Sequence, residues 1–124
     1  MDIESIRDYV LAKPAVTEGF PFGESVLVFK INGKIFLLLS LDAYPLQFNL
    51  KSDPDKAIEL RDAYPTAILP GYHMNKKHWN TIVLNGQLPG RLILEMIDES
   101  YKLVAKLKKQ SYLFFLATHI QSQG

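Results

Sequence analysis

The chain contains no cysteine. That single absence removes disulfide frameworks, thiolate nucleophiles, cysteine-ligated zinc and iron–sulfur clusters, leaving histidine and carboxylate as the available metal ligands. It also lacks any run approaching the roughly 20 apolar residues of a membrane-spanning helix, so no membrane partner is expected. Met1-Asp2-Ile3-Glu4 opens with acids where a secretory signal has a basic region, so none is expected and the cytoplasm is the default compartment. A large charge surplus is missing too, the formal balance being +1. What the chain does have is 124 residues, 48% of them hydrophobic, enough for one sizeable core.

The charges are unevenly placed. Residues 1–60 hold six basic and nine acidic residues, a balance of −3, whereas residues 61–124 hold eight basic and four acidic, a balance of +4. No acid occurs from Ala63 to Leu94. A molecule polarised in this way can steer anionic partners toward its basic side.

Asp2 is placed to cap a first helix over about 3–13, with Ile3, Ile6, Tyr9 and Val10 at helical spacing and Pro14 beyond its end. Thr17 to Gly23 reads as an ordered loop, because two glycines and a proline lie among aromatics. Ser25–Ile31 and Lys34–Leu41 are apolar strands joined by Asn32-Gly33, the pair suited to a type I′ hairpin turn. Leu46–Lys51 alternates apolar and polar residues as a half-buried strand does.

Ser52-Asp53-Pro54 starts a second helix that runs to about Tyr64, where Pro65 excludes further helical geometry. Ala67–Leu69 and Trp79–Leu84 read as two more strands. After Pro89 comes a long helix with Ile93, Met96, Ile97, Ser100, Val104 and Leu107 on one face. Its acids Glu95, Asp98 and Glu99 precede its lysines, the order that complements the helix dipole. The order α-β-β-β-α-β-β-α predicts an α+β, two-layer domain: an antiparallel sheet of about five strands with helices on one face. Residues 1–110 form that domain, and the apolar tail around Tyr112–Ala117 docks on it or on a partner.

The usual catalytic constellations do not emerge. His73 and His78 are five apart, which shares neither a helix face nor one side of a strand, so no metal site is expected. Gly23-Glu24-Ser25-Val26 lacks the second glycine of a nucleophile elbow and opens a strand instead of a helix. The pairs Asp53/Asp55 and Asp98/Glu99 lie in the first halves of helices, where capping and the dipole account for them. No glycine-rich phosphate loop is present. The expectation is a protein that is not an enzyme, has no catalytic residues and uses no cofactor.

The segment from Gly71 to Ile82 joins Lys76 and Lys77 to Tyr72, His78 and Trp79, with Asn75, Asn80 and Thr81 as hydrogen-bonding groups. Lysines there can contact phosphates and the aromatic rings can stack on bases. Equally, Trp79 can begin its strand with the ring in the core while Asn75 and Lys76 make a turn.

Asn32-Gly33-Lys34-Ile35-Phe36, Leu50-Lys51, Tyr64-Pro65, Pro70-Gly71-Tyr72, Asn75 through Thr81 and Ile97 through Val104 together resemble the MmcQ/YjbR family. The resemblance spans about residues 3–110 and is most specific in the Lys-x-His-Trp loop and the Asp-Glu-Ser-Tyr helix. It implies a small bacterial cytoplasmic protein whose two-layer fold is similar to CyaY and to type III secretion chaperones. It also implies a DNA-binding role, by likeness to a "double wing" domain whose sheet presents its concave face to DNA. The positions that match the family motif are Lys34, Lys76, His78, Trp79, Ser100 and Tyr101, the last two with hydroxyls that could tie the helix to the Lys76–Trp79 loop.

Two functions from different classes follow. In the first, Lys34, Lys76, Lys77, His78, Trp79, Lys102 and Lys106 form a nucleic-acid-binding set that predicts steep salt dependence. In the second, apolar sheet surface and the Tyr112–Ala117 tail make a homodimer or hold a client protein, with mass depending on concentration. A small-molecule or anion pocket beneath the Lys-x-His-Trp loop is a further possibility.

Overall fold

The structure, a computed structural model, describes residues 1–106; the apolar tail read from the sequence lies outside them. Helix α1 (Ile3–Leu11) precedes strands β1 (Val16–Gly19), β2 (Val26–Ile31), β3 (Lys34–Ser40) and β4 (Gln47–Lys51). Helix α2 (Pro54–Ala63), strands β5 (Ile68–Pro70) and β6 (Trp79–Val83) and helix α3 (Gly90–Ala105) follow. The six strands are antiparallel throughout, in the order β1-β2-β3-β4-β6-β5.

The architecture is α+β, with one strand more than the sequence suggested. The extra strand is β1, whose Thr17–Gly19 lie in the segment read as a loop and pair instead with Lys30, Phe29 and Val28. Val16 and Thr17 are β-branched, and the exposed side of β2 supplies hydrogen-bonding partners that outweigh the local glycine signal.

Local chemistry sets the element ends. Asp2 and Ser5 form a reciprocal capping box on α1, and the hydrogen bonds from Ser5 hold the Asp2 carboxyl below the usual carboxylate range. Asn32 and Gly33 both have positive φ, at 52° and 76°, as a type I′ turn requires. Asp53 caps α2, its carboxylate accepting from the Lys56 N–H.

Register builds the core. Leu27, Leu39, Phe48, Ile82 and Ile68 make one continuous cross-strand row, and Phe29, Leu37, Leu50 and Asn80 a second beside it. The apolar members of both rows cluster with Ile6 and Val10 of α1, Leu60 of α2 and Ile93, Ile97 and Tyr101 of α3. All three helices therefore back the same face of the sheet. A bulge in β3 adds to this core, because Ile35 pairs with Lys30 and Leu37 with Phe29, leaving Phe36 as the extra residue. Its ring meets Tyr101 edge-on, with centroids 5.4 Å apart.

Two further ties hold α1 in place. Lys13 is buried, with Nζ 2.5 Å from Asp98 Oδ1 and 4.9 Å and 5.3 Å from the Tyr9 and Tyr101 ring centroids. Tyr9 donates to the same Asp98 oxygen at 2.7 Å. Arg7 and Glu18 link α1 to β1 through two N–H groups of the guanidinium. That contact lowers the Glu18 carboxyl from its ordinary range and raises the Arg7 guanidinium further.

Candidate nucleic-acid interface

The topology brings one end of several elements together. Ile31 pairs with Lys34, and Lys51 pairs with Trp79, so the start of β3, the end of β4 and the start of β6 share one end of the sheet. The last turns of α3 lie at this end as well. Ser100 fixes them, its hydroxyl donating to the Phe36 carbonyl at 2.6 Å and accepting from the Lys51 N–H at 2.9 Å. Both groups need such a partner, since Phe36 sits in the bulge and Lys51 lies one residue beyond the last β3–β4 pair. Lys34, Lys51, Lys76, Lys77, Lys102 and Lys106 thus gather at one end of the domain, from β3, β4, the β5–β6 loop and α3.

The β5–β6 loop is held from three sides. Gly71 donates to the Trp79 carbonyl at 2.9 Å, His78 and Trp79 donate to the Asn75 carbonyl, and Ser52 donates to the His78 carbonyl at 2.8 Å. Tyr72 N–H donates to Thr81 Oγ1, which donates to Asn49 Oδ1 at 2.5 Å. Arg61, at the end of α2, reaches Asn80 Oδ1 at 2.7 Å and the Lys76 and Trp79 carbonyls. A Cβ on Gly71 would stand 2.8 Å from Trp79 Cβ, so only glycine permits this approach.

Of the residues named from the sequence, Lys34, Lys76, Lys77 and Lys106 are exposed at this end. Lys76 Nζ also lies 3.4 Å from the Gly71 carbonyl. Lys102 is less free, its ammonium 3.0 Å from Glu99 and its side chain 25% exposed. His78 is half-buried, and its backbone rather than its ring closes the loop.

Trp79 is not a core residue. Asn80 and Ile82 point toward the helices, so Trp79, Thr81 and Val83 lie on the opposite face, where Trp79 is half-buried beside Lys51. The reason is Asn80, whose amide is satisfied inside by Arg61 and the Ala57 carbonyl, so the polar residue takes the inward position. The two hydroxyls of α3 also act elsewhere than expected. Ser100 ties the helix to β3 and β4, and Tyr101 donates to the Pro14 carbonyl at 2.6 Å, neither of them to the loop.

The sequence reading missed Arg61 as the clamp and Lys51 as a member of the cluster. Lys51 had a legible signal, since it ends an alternating strand; Arg61 is 15 residues from the carbonyl it holds and had none.

A cleft of about 420 Å3 lies between α2 and α3, floored by Leu50, Leu60, Ile82 and Met96. It adjoins the loop clamp through Asn80; of the charges on its rim, Lys56 pairs with Glu59, Glu95 with Arg91 and Glu99 with Lys102, Asp53 caps α2, and Lys51 belongs to the lysine cluster. Among the described residues, no group of three His, Asp or Glu is arranged to hold a metal ion. Nor is any helix among them long and apolar enough to cross a membrane.

The helix-backed antiparallel sheet, with its Lys-x-His-Trp loop clamped at the basic end, places the molecule among small two-layer α+β domains. Within that class the chain belongs to the YjbR family, whose model matches residues 11–103. It is 43% identical over 102 residues to the uncharacterized protein YbdF of Escherichia coli O157:H7, covering 82% of each chain. It is 28% identical over 107 residues to the uncharacterized protein YjbR of E. coli K12, covering 86% of this chain and 90% of that one. The crystal structure of Deinococcus radiodurans protein DR2400 superposes with a TM-score of 0.81 at 37% identity, covering 91% of this chain and 86% of its own.

Proposed function

We propose that this protein binds nucleic acid through the phosphate backbone, at the basic end of its sheet. One observation carries the reading: lysines far apart in sequence, Lys34, Lys51, Lys76, Lys77 and Lys106, lie at one end because β3 and β6 begin there and β4 and α3 end there. Phosphate contacts of this kind position a protein on the duplex without reading sequence. The role is binding and not catalysis.

The contact is made at the end of the sheet, not across the middle of the face turned away from the helices. The row across that face, Val28, Leu38, Asn49 and Thr81, offers no cation, and Val28, Leu38 and Thr81 are buried. Tyr72, 69% exposed and set against His73 with centroids 4.0 Å apart and ring planes tilted by 49°, stands on the clamped loop as a ring for sugar or base.

The test is fluorescence anisotropy of labelled random duplex against the full chain over a range of salt. Three to four neutralised phosphates give a slope of log K on log salt of about −2.7 to −3.6. A Lys76→Ala/Lys77→Ala variant is expected to lower that slope by about 1 to 2. Salt-independent binding, or a slope the double variant leaves unchanged, refutes the assignment.

A further inference from the structure

The opposite end of the domain has the reverse character. It is built from residues 1–4, the β1–β2 loop, the β3–β4 turn and the residues just after β6. Leu41 N–H donates to the Ser25 carbonyl at 2.9 Å, and Leu84 N–H to the Leu46 carbonyl at 2.9 Å, which ties these segments together. Met1, Phe20, Phe22 and Tyr44 are 54%, 51%, 63% and 99% exposed here, four of the seven large hydrophobics most exposed among the described residues. Such a concentration on one surface marks an interaction site more than chance placement.

The charged side chains at this end are of one sign. Asp2, Glu4, Glu24 and Asp42 are all exposed, and residues 1–4, 20–25, 41–46 and 84–85 contain no lysine or arginine. An open groove of about 830 Å3 runs between the start of α1 and the β3–β4 turn, with Ile3, Tyr44, Leu46 and Leu84 along it and Asp2 and Glu4 at its side. Its occupant must therefore bring cations together with apolar anchors.

The chain itself contains a segment of that chemistry: Lys106, Lys108 and Lys109 followed by Tyr112, Leu113, Phe114, Phe115 and Leu116. We propose that the groove receives residues 108–116 of a second copy of this chain. The short reach of the lysines favours a second copy over the same chain. α3 runs from this end to the basic end over 16 residues, about 24 Å. Lys108 and Lys109 lie only two and three residues past Lys106, within about 11 Å of it, so a chain cannot return its own cations to its own groove. Two copies can exchange segments reciprocally, which closes as a twofold dimer and leaves no open chain of contacts.

The test is sedimentation velocity of the full chain over a range of concentration, with a labelled peptide of residues 106–117 as a second probe. Mass is expected to double as concentration rises, and the peptide to bind saturably. Tyr44→Ser with Phe22→Ser, both on exposed rings that the core does not use, is expected to weaken dimer and peptide binding about tenfold or more. Lys108→Glu with Lys109→Glu is expected to do the same, and combining it with Glu4→Lys on the groove to restore association. A monomer at every concentration, or peptide binding that the Tyr44/Phe22 variant leaves intact, overturns the assignment.

Discussion

Ser100→Ala removes one oxygen from the centre of the fold. Ser100 is fully buried, and its hydroxyl serves both the Phe36 carbonyl of the β3 bulge and the Lys51 N–H at the end of β4. Truncation leaves two backbone groups without that partner, at about 1–3 kcal/mol for each buried orphan. Lys51 lies near the edge of the cleft beside α2 and can recover part of its loss through water, so the expected total is about 2–4 kcal/mol. For a chain of this size that is a fall in Tm of roughly 8–16 °C. Urea unfolding followed by the fluorescence of Trp79, the sole tryptophan, measures it directly. An unchanged m-value with a loss near 3 kcal/mol supports the reasoning; a loss below about 0.5 kcal/mol refutes the claim that this hydroxyl satisfies both groups.

Three other perturbations test separate parts of the structure. Gly71→Ala drives a methyl to within 2.8 Å of Trp79 Cβ and 2.9 Å of its carbonyl, so a loss of about 1–3 kcal/mol is expected, with amide shifts confined to residues 71–81 in NMR spectra. Lys13→Met keeps the aliphatic stem but strips Asp98 of its cation; with Asp98 partly exposed, about 1–3 kcal/mol is expected, against under 0.5 kcal/mol for Arg91→Met in the outer pair with Glu95. Glu18→Gln tests pH linkage: the folded pKa of Glu18 is lowered, so its contribution is present above the unfolded value of 4.5 and disappears as pH falls through the folded one. Unfolding curves of wild type and variant should differ at pH 7 and converge in acid; a difference that grows toward low pH contradicts the assignment.

How far the sequence could be read depended on whether the deciding contact was local. The helices, the Asn32-Gly33 hairpin and β4 were legible because caps, turn residues and alternation act within a few positions. β1 was not, since its pairing with β2 is invisible in the composition of either segment. Trp79 failed for a related reason: which alternate set of a strand faces inward was decided by an amide, and the groups that satisfy Asn80 come from α2, 19 and 23 residues away. In the candidate site, the lysines of the loop and of α3 were readable as charges, but their meeting at one end depends on the strand order and on Ser100.

The two outermost strands have a bearing on how this protein behaves when concentrated. β1 has four residues and β5 three, and β5 ends in Pro70, which has no N–H to offer a neighbour. A sheet bordered by such short strands gives an incoming peptide little ladder to extend. Growth by strand addition, the ordinary route from a sheet to a fibril, is therefore disfavoured at both borders of the described sheet.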